Sequence, residues 1–452
     1  MDMMKAIAII HIKPFTHGGN LKKMLCALFV FAAAGFLAEG KIFAQESLQK
    51  KIDQAEPGST VIIKSGIYNE PITISKPLVI KGEGRIIFSS QSDESFITVE
   101  HTSHVVINHL SVEAEQDRNE MTAITVKDSS GIELSNIEIT RFNQGVELFN
   151  VKDSTLDMLS IKGVRGHFSK KGNGISLFGT EGITVRDSEI DQVQDGLYIE
   201  EDEKSRVLDN LVTGSRYGIH LMYSKGVTAA GNTLKKNVTG LMLMMTNQTA
   251  IRDNRILLHT DYNGYGLVLF EGEAIVVKGN EISENAAGMS LQKIKNSEIV
   301  DNKIMANQTG VQFIHYDESN QMSGNELYGN ILSAASDVRG AGVDGNEWDD
   351  YRGFDLDRDG FGDTPHQVKD LFSQLMINEK PYQFFFEAPS IVALTSLEKK
   401  LQVEEETGVR DERPVVNPAE DKEQGSFHFV FFLAGAAIFT GGVLGWRKIA
   451  SS

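Results

Sequence analysis

The stretch GIHLMYSKGVTAAGNTLKKNVTGLMLMM, residues 218–245, contains one phrase twice, Gly-aliphatic-x-Leu, with starts 22 residues apart. Each copy reads as the opening of a short β-strand, in which alternate side chains face opposite ways. Ile219, Leu221, Leu241 and Leu243 then point into a core, and His220, Met222, Met242 and Met244 point out of it. Methionines and a histidine on an outer face need a reason.

The phrase continues as a repeat: GVEL at 145, GISL at 174, GLYI at 196, GLVL at 266, GMSL at 288 and GVQF at 310. Successive spacings are 29, 22, 22, 22, 26, 22 and 22. A second register runs in phase, through Asn210, Asn232, Asn254, Asn280, Asn302 and Asn325. A fixed period of this size marks a solenoid whose units cannot bury their faces alone. Asn tolerates left-handed turn geometry, and its amide bonds to the coils above and below. Two to three short strands plus turns fill 22 residues, so the expected fold is all-β, a right-handed parallel β-helix over residues 45–335. A leucine-rich horseshoe has a similar period but needs a Leu-x-x-Leu-x-Leu frame that this chain lacks. The Asn-x-Thr triplets at Asn237, Asn247 and Asn307 are taken as by-products of Asn-rich turns.

An open solenoid end exposes apolar side chains and unpaired edges, and needs a cap. QESLQKKIDQA, residues 45–55, has the spacing of a short amphipathic helix suited to the N-terminal end.

The chain has 452 residues, with 44 Lys and Arg against 62 Asp and Glu, a net charge of −18. An acidic surface gains nothing from a phosphate backbone, which argues against nucleic acid as a partner. Residues 1–44 hold a basic patch, an apolar run and a small residue, Ala44, in the order of an export signal. The single cysteine, Cys26, lies within that segment, so an exported form has neither disulfides nor thiolate ligands. Residues 427–446 are apolar for about the length that spans a bilayer, and Arg447 and Lys448 follow directly. They read as a membrane anchor with a cytoplasmic C-terminus; a tail removed after sorting is the alternative. Residues 403–425, charged and poor in apolar side chains, read as a tether, and 336–402 as an acidic loop followed by a docking helix.

Stacked rungs lie about 4.8 Å apart. His220 is therefore expected beside Met242, and Met222 beside Met244, as a square of outward donors. Thioether and imidazole ligands select Cu(I) over Mg, Ca or Mn. The competing reading is an adaptable methionine surface for a partner protein. His259, in the longer rung, is a further candidate donor.

In DLDRDGFGD, Asp355, Asp357 and Asp359 stand at positions 1, 3 and 5, Gly360 at 6 and Asp363 at 9 of a calcium-loop pattern. Position 12 is His366 in place of a bidentate Glu, so calcium competes with a solvated acidic turn held by Trp348 and Tyr351.

GIHLMYSKG with the Met-rich rung after it resembles the NosD family of nitrous-oxide reductase maturation proteins. PGSTVIIKSGIYNEPITISKPLVIKGEG is similar to that family's opening rungs, GNEWDDYRGFDLDRDGFGDTPH to its C-terminal signature, and FFEAPSIVALTSLEKKL to its final helix. The likeness covers about residues 45–402. It implies a periplasmic β-helix at the inner membrane that docks on the permease and ATPase of an ABC transporter. It also implies transient copper received from a copper chaperone and help in assembling the copper centres of nitrous-oxide reductase. By match of the motif, His220, Met222, Met242 and Met244 are the metal positions carried over. The sequence departs at His366, where an aromatic is usual, and in its C-terminal apolar span. The rival function is a polysaccharide lyase or hydrolase, or a carbohydrate-binding surface protein, on the same solenoid. Asp195, Glu200, Glu201 and Asp202 are its nearest carboxylates, beside Lys204 and Arg206, without a series of groove aromatics. A passive scaffold leaves the methionine rungs unexplained.

Overall fold

In a computed structural model, residues 47–90, 94–115, 121–337, 339–368 and 408–416 are described. From Leu48 onward the described residues form one compact unit, most of it a parallel β-solenoid. One face is a 12-stranded sheet that includes the strands Asp195–Glu200, Tyr217–Met222, Thr239–Met244 and Tyr265–Phe270. A 20-stranded sheet bends around the other sides, and three further strands form a small sheet near the C-terminal end. Within both sheets the pairing is parallel, with residues one rung apart in register, as in Ile219↔Leu241 and Leu221↔Leu243. These aliphatic side chains are fully buried, as are Leu197, Ile199, Leu267 and Leu269 on the flanking rungs. Each such burial contributes roughly 1.5–3 kcal/mol.

The repeating glycine has a steric cause. Strands of the 12-stranded face begin where successive backbones nearly touch, so a β-carbon on Gly196 would lie 2.4 Å from the Gly218 carbonyl oxygen. The same contact recurs from Gly145 to Gly310. No side chain fits.

The asparagine register forms a buried ladder. The Asn232 backbone N–H and Nδ2 both donate to Asn254 Oδ1, at 2.9 and 3.0 Å, and Nδ2 also donates to the Val207 carbonyl at 2.9 Å. This pattern runs from Asn210 through Asn346. The left-handed turn expected of these asparagines is taken instead by the residue before each: Asp209, Gly231, Asp253, Gly279, Asp301 and Gly324 all have positive φ. A parallel ladder passes through Asn237, Asn285, Asn307 and Asn330. Asn237 and Asn307 are buried in it, which explains their Asn-x-Thr triplets without a glycan.

At the N-terminal end, Leu48–Gln54 is a helix that buries Leu48 and Ile52. Gln49 exchanges two hydrogen bonds with the backbone of Thr73, at 2.7 and 3.0 Å. At the other end the solenoid runs past residue 335: Glu347–Trp348 pairs with Glu326–Tyr328 as a further rung. Part of the segment expected to be a tether is ordered. Gly408–Asp411 is a strand between Arg339–Val343 and His366–Val368. Asp411 is fully buried and accepts from the backbone N–H of Gly345 and Asn346 and from Trp348 Nε1, each at 2.9 Å. Among the described residues no helix is long and apolar enough to cross a membrane. Residues 1–44, the expected docking helix and residues 427–446 lie outside the described residues.

Candidate functional site

The registers His220↔Met242 and Met222↔Met244 place the four candidate donors on adjacent rungs of one face, with the expected parity. Exposure differs from expectation. Met222, Met242 and Met244 are half-buried, whereas His220 is only 6 % exposed. The cause is its neighbours. Tyr198, directly before it in the same column, and Tyr217, at the start of its own strand, both present rings edge-on to the imidazole, at centroid distances of 5.1 and 4.8 Å.

Beneath the imidazole sits Asp195, with no exposed surface. Its Oδ2 lies 3.1 Å from His220 Nδ1, and Arg216 reaches both carboxylate oxygens, Nε to Oδ1 at 2.8 Å and Nη2 to Oδ2 at 2.7 Å. Burial alone would raise the Asp195 pKa, but the bonds from His220 and Arg216 hold it below the usual carboxylate range. Arg216 in turn stacks over Tyr217, 4.5 Å from the ring centroid. His220 Nε2 is buried with no hydrogen-bond partner. Such an orphan is rare and calls for an explanation. Tyr198 Oη donates to Glu200 at 2.9 Å and lies 3.5 Å from Met222 Sδ; burial first, then Glu200, pushes its pKa up to about 12.

The Met222 column carries half-buried aromatics on both sides. Phe149 and Phe178 stack at 4.9 Å before it, and Phe270 follows Met244. His259 is no extra donor at this face. It is fully buried in the second ladder, where its Nδ1 stands in an asparagine's place, 3.1 Å from Asn237 N and 2.9 Å from the Asn237 carbonyl oxygen. Burial pushes its pKa down to about 4.

Of the acidic loop, Asp355, Asp357 and Asp363 bring carboxylate oxygens within 4.8 Å of one another. Asp359 turns away to Arg413 at 3.2 Å, and His366 is buried against Trp348. Backbone N–H groups of the loop already occupy Asp355, from Arg358 and Gly360, and Asp363, from Leu356. Three of the four expected calcium ligands are thus brought together, and Asp359 is not among them. The carboxylates considered for sugar chemistry are dispersed as well. Asp195 is spent on His220 and Arg216, Asp202 is buried with Thr180 and Ser205, Glu200 is taken by Tyr198, and Glu201 lies on an exposed turn. A cleft of about 690 Å³ lined by Arg141, Lys162 and Arg165 shares no residue with the methionine columns.

The repeat register places Tyr198 on the rung before His220, but it does not reveal Asp195, Arg216 and Tyr217 as partners. The signal was the glycine, since the strand pairing skips Gly196 and Gly218 and so turns Asp195 outward.

Residues 158–353, which contain this whole arrangement, match the family model described as NosD, periplasmic copper-binding protein. The chain carries a NosD-family domain. Two NosD relatives, each named "Probable ABC transporter binding protein NosD", come from Stutzerimonas stutzeri and Pseudomonas aeruginosa. Both are 30 % identical to this chain, over 118 and 112 residues, which cover 25 and 24 % of it. The matches span 27 and 26 % of those relatives, about a quarter of their length. Among solved structures, the A-module of Azotobacter vinelandii mannuronan C-5 epimerase AlgE6 aligns with TM-score 0.53 at 16 % identity, over 66 % of this chain and 93 % of that one. The Dettilon tailspike protein gp208 aligns with TM-score 0.52 at 12 % identity, over 64 % of this chain and 63 % of its own. At such identities the likeness to these two is one of fold alone.

Proposed function

We propose that this NosD-family chain is a periplasmic accessory protein that takes up Cu(I) as cargo at His220, Met222, Met242 and Met244 and passes it on. The observation that carries this is His220 Nε2: a buried nitrogen with no partner, one rung from a methionine and flanked by two more in the next column. The donor set fits the metal, since soft thioethers and one imidazole suit Cu(I) and a hard cation would find no oxygen ligands among them. Copper supplies nothing to the fold here; the chain supplies a place to hold it. The NosD resemblance supports delivery toward the copper centres of nitrous-oxide reductase, with an ABC transporter and a copper chaperone as partners. An export signal at 1–44, an anchor at 427–446 and closure of the N-terminal end by Leu48–Gln54 belong to the same proposal.

The test is a Cu(I) titration of the full chain against a chromophoric competitor, with the Met222→Leu/Met244→Leu variant beside it. Leu for Met keeps volume nearly constant and costs less than about 1.5 kcal/mol in stability. Expected is binding by the wild type and its loss in the variant. A second reading, a docking surface, is favoured by the half-buried aromatics that extend the Met222 column. If the double Leu variant still supports a copper-loaded reductase while charged substitutions abolish it, the face is a docking surface and the metal assignment is wrong.

A further inference from the structure

We propose that Asp195 is a positioning residue that fixes His220 in one tautomer, proton on Nδ1 and lone pair on Nε2, before any metal arrives. The inference rests on the copper reading for what Nε2 is used for, but not for the tautomer itself.

The geometry is asymmetric. Nδ1 lies 3.1 Å from a carboxylate oxygen, which accepts and cannot donate, so the hydrogen bond exists only if Nδ1 carries the proton. The neutral ring then has an unprotonated Nε2, and that is the atom left without a partner. Arg216 prevents the alternatives. Its two bonds, at 2.8 and 2.7 Å, engage both carboxylate oxygens and stop the carboxylate from rotating away. Tyr198 and Tyr217, edge-on from two sides, hold the ring plane. Three consecutive strands thus converge on one nitrogen: Asp195 and Tyr198 from the first, Tyr217 and His220 from the second, and Met242 in register from the third. A carboxylate behind a ligating imidazole orients the ring and raises its basicity, and losing such a partner costs typically 10–100-fold in metal affinity.

A purely structural Asp195 would pair with Arg216 and leave the imidazole free to choose. The discriminating readout is the tautomer, measured without metal by two-bond ¹H–¹⁵N correlation on the full chain labelled with ¹⁵N-histidine. The His220 signals are identified by their absence in His220→Gln. Expected are a protonated Nδ1 and an unprotonated Nε2 in the wild type. Asp195→Asn is expected to give a mixed or reversed population and a Cu(I) affinity about 10–100-fold lower. Asp195→Asn/Arg216→Gln removes both charges and guards against a misfolded single variant; it is expected to lose the tautomer preference with circular dichroism unchanged. A wild-type Nε2–H tautomer, or an unchanged tautomer and affinity in the folded variants, overturns the proposal. A shifted tautomer with unchanged affinity keeps the positioning and overturns the use of Nε2 for copper. The expected tautomer in a wild type that binds no Cu(I) leaves the positioning intact and overturns the copper reading alone.

Discussion

Gly218 and Gly240 approach so closely across one rung that a β-carbon on the first would lie 2.5 Å from the carbonyl oxygen of the second. The obstacle is backbone within a paired strand, and it cannot swing aside. Gly218→Ala is therefore expected to cost at least the 1–3 kcal/mol typical of overpacking. Because His220 is two residues on, the same change should weaken Cu(I) binding, whereas Gly58→Ala, strained only by its own positive φ near the N-terminal end, should leave binding unchanged. Urea unfolding and metal titration on both variants check this.

Asn254 sits mid-ladder. Its Oδ1 accepts two bonds from Asn232, and its Nδ2 donates to the Ala229 carbonyl and to Asn280 Oδ1. Asn254→Ala strands buried donors and acceptors on both neighbouring rungs, each costing about 1–3 kcal/mol. A fall in stability of several kcal/mol is expected, with amide exchange faster at 232 and 280 than at distant rungs.

His259 predicts a pH dependence. Its folded pKa is near 4 against 6.5 in the unfolded chain, so between those values the unfolded state binds more protons. Its stability contribution is complete above about pH 6.5, falls as pH drops toward 4, and changes no further below that. The total is on the order of 3 kcal/mol. His259→Asn restores the ladder residue, should flatten this part of the stability–pH curve, and should raise stability at pH 5. Thermal melts from pH 4 to 8 on both proteins provide the measurement; equal curves would contradict it.

Asp411 closes the far end. Asp411→Ala leaves the N–H groups of Gly345, Asn346 and Trp348 without their acceptor. Expected is a loss of roughly 3–5 kcal/mol, by analogy with removing one partner of a buried charged network. Exchange should accelerate first at residues 345–348.

The rung period, the inward aliphatics and the pairing of His220 with Met242 were all legible, because a parallel stack converts a sequence period directly into contact. Burial of His220 was not. It depends on Tyr198 and Asp195 one rung earlier, and on a pairing that skips a glycine, which no strand parity shows. Nor was the role of His259, since a histidine in an asparagine ladder differs from the repeat only by a four-residue lengthening of its rung. The ordered strand at Gly408–Asp411 escaped for another reason. Its partner strands are more than 40 residues away, and four residues in a charged stretch carry no periodic signal. The calcium pattern matched in spacing, and in space Asp355, Asp357 and Asp363 come together while Asp359 pairs with Arg413.

The asparagine ladder has a direction. In every step from Asn210 to Asn346 the backbone N–H points toward the amide oxygen of the following rung, and the last points to the Asp411 carboxylate. A chain made from its N-terminus therefore cannot finish any coil with its own residues. Each waits for an oxygen about 22 positions downstream, and the growing tip always carries one incomplete coil. Only the arrival of Asp411 ends the queue, with a negative charge at the end toward which all the donors point.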